Sequence, residues 1–254
     1  FKFETSYYVG NNSDTGFHMI KTFQKQRAIQ LGMFEQENCK MNSKWLDIGC
    51  GKGNSIKNIN HFNPSHYIGF DNDPYCVWES NLRHSTQFHN FTLYDFSLKQ
   101  DQNQFVSTVK INEVFDYIVC NFVLHYAAKS KDIWNRWIEQ INNKSKSGTI
   151  LFINFMDYDK LIKVVDNNEF YLDDKSYIKL LADSELNYQI CSTWAEIKFD
   201  WVHPEPIREP VVTKDTVITE FSCNGWELQN EFNLNDYTTK YSTFSSIYTW
   251  QCWN

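Results

Sequence analysis

Several features that would place a chain in a special class are absent from this 254-residue sequence. No apolar run approaches the ~18 residues that a membrane helix needs; TILFINF at 149–155 is far too short. The opening FKFETSYYVG has no signal-peptide pattern. It begins with Phe1 and not Met, so the chain is expected to be a piece of a longer polypeptide. Seven cysteines (Cys39, Cys50, Cys76, Cys120, Cys191, Cys223 and Cys252) are scattered, odd in number, with no CxxC. That argues against a zinc site or a disulfide framework and for a reducing compartment. There is no excess of positive charge: the formal net charge is −7. A nucleic-acid partner would have to be held by a local basic patch against the overall field. Repeats and low-complexity linkers are absent too. What is present is a globular composition, 42% hydrophobic and 22% charged, with aromatics at 17%. Most of these rings must be core; some can be stacking surfaces.

The periodicity predicts alternating elements. Phe17, Ile20, Phe23, Ile29 and Met33 follow helical spacing over 17–36. SKWLDIG (43–49) reads as a strand ending in glycines, 53–61 as a helix, and YIGFD (67–71) as a second strand. Asp73-Pro74 starts a helix through about Arg83. FHNFTLYD (88–95), FDYIVCNF (115–122) and GTILFINF (148–155) are further strands. A helix at 130–142 carries Ile133, Trp134, Trp137, Ile138 and Ile141 on one face. This alternation predicts a mostly parallel α/β sheet covered on both faces. Residues 156–210 read as an irregular insertion beside the site, with a short helix near 157–165, acidic Asp173 and Asp174, and Pro204, Pro206 and Pro210 at its end. A helix at 213–224, WELQNEF (226–232) and a final, antiparallel strand in 243–253 complete the chain. The expectation is one domain over 1–254: an N-terminal helical segment (1–42), a ligand-binding core (43–155), the insertion (156–210), and a C-terminal helix and strands (211–254).

WLDIGCGKGN (45–54) is the strongest local motif. Gly49, Gly51 and Gly53 follow a strand and precede a helix, which lets the backbone turn tightly and approach a ligand. Asp71 lies 22 residues after Gly49, at the next strand end, where a carboxylate can take both hydroxyls of a ribose. A dinucleotide prefers GxGxxG with a pyrophosphate on the helix N-terminus; here the pattern is GxGxG, and Asp47 precedes it. An acid there suits a cationic ligand, and S-adenosylmethionine carries both an ammonium and a sulfonium. Asp95, at the third strand end, stands where adenine contacts are expected. A dinucleotide and a purely structural glycine turn remain alternatives.

The run FDYIVCNFVLHYAAKS (115–130) begins as a buried strand and then places Asn121, His125 and Tyr126 at its end. With DIGCGKG, this stretch carries a resemblance to the mRNA cap (guanine-N7) methyltransferases. Within that family the chain looks like the C-terminal methyltransferase domain of multifunctional capping enzymes of large cytoplasmic DNA viruses, of the African swine fever virus type. The resemblance implies a Rossmann-like class I fold with a seven-stranded sheet and an antiparallel last strand. It implies S-adenosylmethionine as cofactor and S-adenosylhomocysteine as product. It also implies capped mRNA and the parent chain's other capping domains (triphosphatase and guanylyltransferase) as partners, no membrane, and a cytoplasmic location. It places Lys21 in FHMIKTF on the methyl donor's carboxylate and Asn121 beside that donor. Phe122, His125 and Tyr126 fall on the cap-guanosine pocket, and Lys52 and Arg83 face the cap phosphates. Glu209 in REPVV reads guanine, and Tyr248 in SSIYTW lines the pocket. Phe17 and His18 stand where the family has two asparagines, Asn121 where it has glutamine, and the segment FMDYDK around Met156 lacks the usual proline.

No nucleophile–base pair is evident. That suits attack by guanine N7, whose lone pair is free at neutral pH, so no catalytic base and no metal are assigned. The rivals are a methyltransferase of another acceptor, and a methyltransferase fold retained as a binding scaffold.

Overall fold

Strands that are apolar on both sides need helices on both faces, and the computed structural model of the chain supplies them. It describes residues 29–95, 113–171, 174–181, 190–198, 205–232 and 245–253. Lys21, His18 and the first part of the expected 17–36 helix lie outside the described residues. The strands are β1 (Lys44–Ile48), β2 (His66–Asp71), β3 (His89–Leu93), β4 (Tyr117–Asn121), β5 (Ile150–Met156), β6 (Glu169–Tyr171), β7 (Tyr177–Leu181), β8 (Thr193–Lys198), β9 (Ile207–Val211), β10 (Trp226–Phe232) and β11 (Ser245–Cys252). The helices are α1 (29–36), α2 (Ile56–Ile59), α3 (Pro74–His84), α4 (Leu124–Ala127), α5 (Lys131–Asn142), α6 (Tyr158–Leu161) and α7 (Lys214–Ser222).

Seven strands form one sheet in the order β10-β11-β5-β4-β1-β2-β3. β1 to β5 pair in parallel, and β11 is antiparallel to both its neighbours. This is the class I methyltransferase architecture that the sequence led us to expect.

Local chemistry sets the helix starts. Asp73 caps α3 by accepting from Tyr75 N at 2.8 Å, with Pro74 at the first helical position; Ser130 caps α5 and Thr213 caps α7 through their hydroxyls. Such caps satisfy N–H groups that have no partner within the helix.

Side chains alternate across each strand. Trp45 and Asp47 of β1 therefore point to one face, and Leu46 and Ile48 to the other. The first face packs against α1 and α2, where Phe34, Ile56 and Ile59 meet Trp45, Tyr117 and Phe152. The Phe34 ring stands 5.0 Å from Trp45 and 4.8 Å from Phe152, edge to face. The second face receives Leu124 of α4, Trp134 and Trp137 of α5, and Phe221 of α7.

The structure corrects three boundaries. Only Ile56–Ile59 of the expected 53–61 helix is α-helical; a 3-10 turn at Asn60–Phe62 follows it. Likewise, only Tyr158–Leu161 of 157–165 is α-helix. β3 ends at Leu93, so Asp95 lies two residues past it.

A larger correction concerns 156–210, whose described residues are not irregular. It holds a second, antiparallel sheet in the order β6-β7-β8-β9. The three prolines suggested breaks, but Pro210 lies in β9, opposite Trp194. β9 is an edge strand, where the missing N–H costs no ladder bond. The small sheet has its own core of Leu161, Ile178, Ala195, Ile197 and Val211. An isolated bridge between Asp157 and Val212 ties it to the carboxyl end of β5.

Candidate active site

The carboxyl ends of the parallel strands carry most of the expected site residues. Gly49, Gly51 and Gly53 all have positive φ (68°, 51° and 74°), which L side chains rarely adopt. A Cβ on Gly49 would come 1.9 Å from Val123 Cγ1, so the segment after β4 crosses directly over the turn. Gly49 N and Cys50 N donate to Phe70 O at 2.7 and 2.9 Å. Gly51 N donates to Asp71 Oδ2 at 2.8 Å, and Asp73 N donates to Asp71 Oδ1 at 2.9 Å. Asp71 thus ties the glycine turn to the start of α3. Burial raises its pKa while the N–H groups of Asp73 and Gly51 oppose that rise. Each carboxylate oxygen still has capacity for a further donor.

Asp47 is 1% exposed. Its Oδ2 accepts from Tyr67 Oη at 2.9 Å, and its Oδ1 is buried with no hydrogen-bond partner. Burial pushes this acid up to about 7, against the lowering influence of the Tyr67 and Ser55 hydroxyls. An open, buried carboxylate oxygen is costly unless a donor or cation meets it. On the same face, Asn121 ends β4 and its Nδ2 donates to Ser55 Oγ at 3.2 Å. Its register partner in β5 is Asn154, 5% exposed, whose Oδ1 is likewise buried without a partner. Asp95 is half-buried just beyond β3.

Phe122 follows Asn121 with φ 54°, a conformation that stores backbone strain in a non-glycine residue. Its N donates to Asn154 O at 2.8 Å. Phe122 and Tyr126 are each 36% exposed. The His125 and Tyr126 ring centroids are 4.0 Å apart.

Helix α4 packs on β9, which brings His125 Nε2 to 3.3 Å from Glu209 Oε1. The two atoms are in Coulombic reach without hydrogen-bond alignment, since Nε2 has no hydrogen-bond partner. Burial lowers the His125 pKa, and Glu209 only partly offsets it. Two residues 84 positions apart in sequence are thus brought together.

Other expected residues are placed differently. Lys52 Nζ is 2.9 Å from Glu79 Oε2, and Arg83 pairs with the other oxygen of Glu79. Burial works against the Glu79 charge, yet these two cations hold its pKa below the ordinary value. The cations expected over phosphate thus share a carboxylate on α3. Tyr248 is fully buried, so its ring shows no open surface beside His125 and Tyr126. Its hydroxyl is 3.3 Å from Asp157 Oδ2 and 3.2 Å from Glu231 Oε1, and its ring packs 5.5 Å from Phe155. Sequence reasoning missed Asn154, Ser55, Tyr67 and Glu79. A polar residue inside the apolar TILFINF was the available signal for Asn154; the others needed the fold.

Comparisons with known proteins agree with this geometry. A methyltransferase-domain family profile matches residues 20–193. The chain is 23% identical over 179 residues, 60% of its length, to a probable mRNA-capping enzyme of Acanthamoeba polyphaga mimivirus. It is 23% identical over 126 residues, 48% of its length, to an mRNA cap guanine-N(7) methyltransferase of Caenorhabditis briggsae. The matches span only 15% and 33% of those relatives. Among solved structures, an S-adenosylmethionine-dependent methyltransferase from Clostridium acetobutylicum superposes with a TM-score of 0.63 at 18% identity, covering 91% of this chain and 92% of that one. The glycopeptide N-methyltransferase MtfA, complexed with S-adenosylmethionine, gives 0.59 at 8% identity, covering 88% and 92%.

Proposed function

We propose that this chain, which belongs to the methyltransferase-domain family and is an S-adenosylmethionine-dependent methyltransferase, methylates N7 of the terminal guanosine of the GpppN cap of mRNA. The observation that carries this reading is the meeting of a buried Glu209 with His125, beside the partly open rings of Phe122 and Tyr126. A carboxylate accepts from both N1–H and the 2-amino group of guanine, a donor pair that adenine lacks. The named activities of the two relatives support the same reading.

The cofactor suits the residues present. Asp47 Oδ1 is a buried acceptor in want of a cationic donor. An ammonium satisfies it and a pyrophosphate does not. Asp71 retains lone pairs for ribose hydroxyls, with Asp95 just past the neighbouring β3 and Asn121 at the end of β4, beyond β1. When bound, S-adenosylmethionine supplies an electrophilic methyl group on a sulfonium. The protein's part is to align N7 with that methyl, for which orientation can contribute up to ~7–11 kcal/mol. No side chain need remove a proton, because N7 carries none. The end of β4 and the residues after it read CNFV and lack the proline pair with which exocyclic-amine methyltransferases polarise their acceptor.

The parent chain is proposed to be a multifunctional capping enzyme of a large DNA virus acting in host cytoplasm, with triphosphatase and guanylyltransferase domains as partners. The African swine fever virus type rests on the motif resemblance alone. The test is a methyl-transfer assay with GpppA-capped RNA against free small-molecule acceptors, with nuclease mapping of the product. Label on N7 of the cap is expected. Transfer only to a small acceptor would sink the cap assignment.

A further inference from the structure

Four of the largest aromatic side chains, Trp45, Trp134, Trp226 and Trp250, are fully buried, whereas Trp78 of α3 is 59% exposed. Tyr75, Trp78 and Leu82 stand at i, i+3 and i+7, which is one stripe along the helix. Leu82 is 72% exposed, and Phe88 beyond the helix end is 49% exposed. Single exposed apolar residues need no explanation, but a contiguous stripe marks an interaction surface. The Tyr75 and Trp78 rings are 5.9 Å apart, and Lys52 Nζ lies 5.0 Å from the Tyr75 ring centroid. The neighbouring ridge of α3 carries Glu79 and Arg83, joined by Lys52.

From these contacts we propose that the Tyr75–Trp78–Leu82 face of α3 is a stacking surface for single-stranded RNA, with Lys52 and Arg83 beside it for the phosphates; that the strand is the one following a cap rests on the function proposed above. α3 starts three residues past Asp71, so the stripe leads away from the carboxyl edge of the sheet where the proposed cofactor and acceptor meet.

Charge favours RNA over a protein partner. The chain is acidic overall, yet the last turn of α3 carries Arg83 and His84 and no acidic side chain. The helix end is thus locally positive. Both Lys52 and Arg83 reach Glu79, which gathers the two cations beside the stripe. Aromatic faces flanked by cations are how proteins hold single strands without reading sequence, because every base has a π-face.

The test uses fluorescence anisotropy with a labelled, uncapped single-stranded oligouridylate. Trp78→Ala should weaken binding about 5- to 150-fold, the range of one base–aromatic stack, and Trp78→Phe should recover most of it. Arg83→Ala should flatten the dependence of log affinity on log salt by about one phosphate contact, while Trp78→Ala leaves that slope intact. The residue is exposed, so thermal melting of Trp78→Ala should match the wild type. The proposal falls if the wild type binds no strand, or if Trp78→Ala binds as the wild type does. It falls equally if Trp78→Ala changes only the sedimentation of the chain, which would make the stripe a protein contact. The readout needs no methyl transfer. Trp78-dependent binding without cap methylation would overturn the cap reading alone, and cap methylation without it would overturn this inference alone.

Discussion

The two halves of the proposed site, for cofactor and for acceptor, are built in different ways. On the cofactor side, everything from Asp47 to Asp73 comes from one stretch of chain, and main-chain hydrogen bonds join it. Gly49, Cys50 and Gly51 donate to Phe70 and Asp71 before any ligand arrives. On the acceptor side, His125 meets Glu209 only because a second sheet brings β9 against α4. Preformed backbone contacts hold the first half to one geometry. The second half depends on the docking of two separately cored layers, where a displacement of the small sheet would move Glu209 bodily. Cofactor binding and acceptor recognition should therefore fail separately.

The acceptor side gives the largest expected effect. Removing the two charge-assisted bonds of a guanine edge should cost Glu209→Ala roughly 3–5 kcal/mol, about 10²- to 10³·⁵-fold in kcat/KM on capped RNA. These bonds should tighten as methylation makes the purine cationic, so turnover should fall and not only affinity. Cofactor binding by calorimetry should barely change. The comparison variant is Glu205→Ala, since Glu205 is exposed ahead of β9. Activity of Glu209→Ala within about threefold of wild type would remove Glu209 from the site.

On the cofactor side the corresponding break is Gly49→Ala. A left-handed backbone costs an L residue about 1–2 kcal/mol, and the collision with Val123 adds overpacking of about 1–3 kcal/mol. Denaturant midpoints should report a loss of roughly 2–5 kcal/mol. Adding Val123→Ala should relieve the collision but not the backbone term, so the double variant should be more stable than the sum of the two single changes implies. Strict additivity would mean that the segment after β4 does not press on the turn.

The same contrast explains what could be read from sequence. The seven-stranded sheet was legible because its strands are apolar runs punctuated by glycine and capping residues such as Asp73-Pro74. The glycine turn and the acids beside it were legible because the motif is contiguous: an acid, three glycines and a second acid. The small sheet was not. β8 alternates buried and half-buried residues over only six positions, and Pro210 in β9 argued against a strand until β9 was known to be an edge. Glu79 shows the same limit. Lys52 and Arg83 were visible as cations, but that one carboxylate joins them depends on how α3 lies against the glycine turn. Tyr248 is the reverse case, a residue found by motif whose complete burial follows from its place in β11.

The finest distinction between the two halves is protonic, and Asp47 carries it. Burial lifts this acid to about 7 in the fold, whereas an unfolded aspartate titrates near ~3.9. Between those values the native state holds a proton that the unfolded state has released. Stability should therefore decline as pH rises from about 4 to 7, by at most ~1.4 kcal/mol per unit, and level off above that window. Binding of a cationic cofactor end at Oδ1 favours the carboxylate and expels the proton. Cofactor affinity should accordingly rise with pH below about 7, by up to ~tenfold per unit, until an α-ammonium group itself deprotonates near ~8. Calorimetry in two buffers of different ionisation enthalpy counts the released protons, and urea midpoints over the same pH range follow the stability. Asp47→Asn keeps the side-chain shape but cannot ionise, so it should abolish both slopes while leaving the His125–Glu209 side and its pH response unaltered. Equal proton release by wild type and Asp47→Asn would show that Asp47 is already a carboxylate in the free protein, and equal cofactor affinity of the two would show that its open oxygen is not where the cation binds.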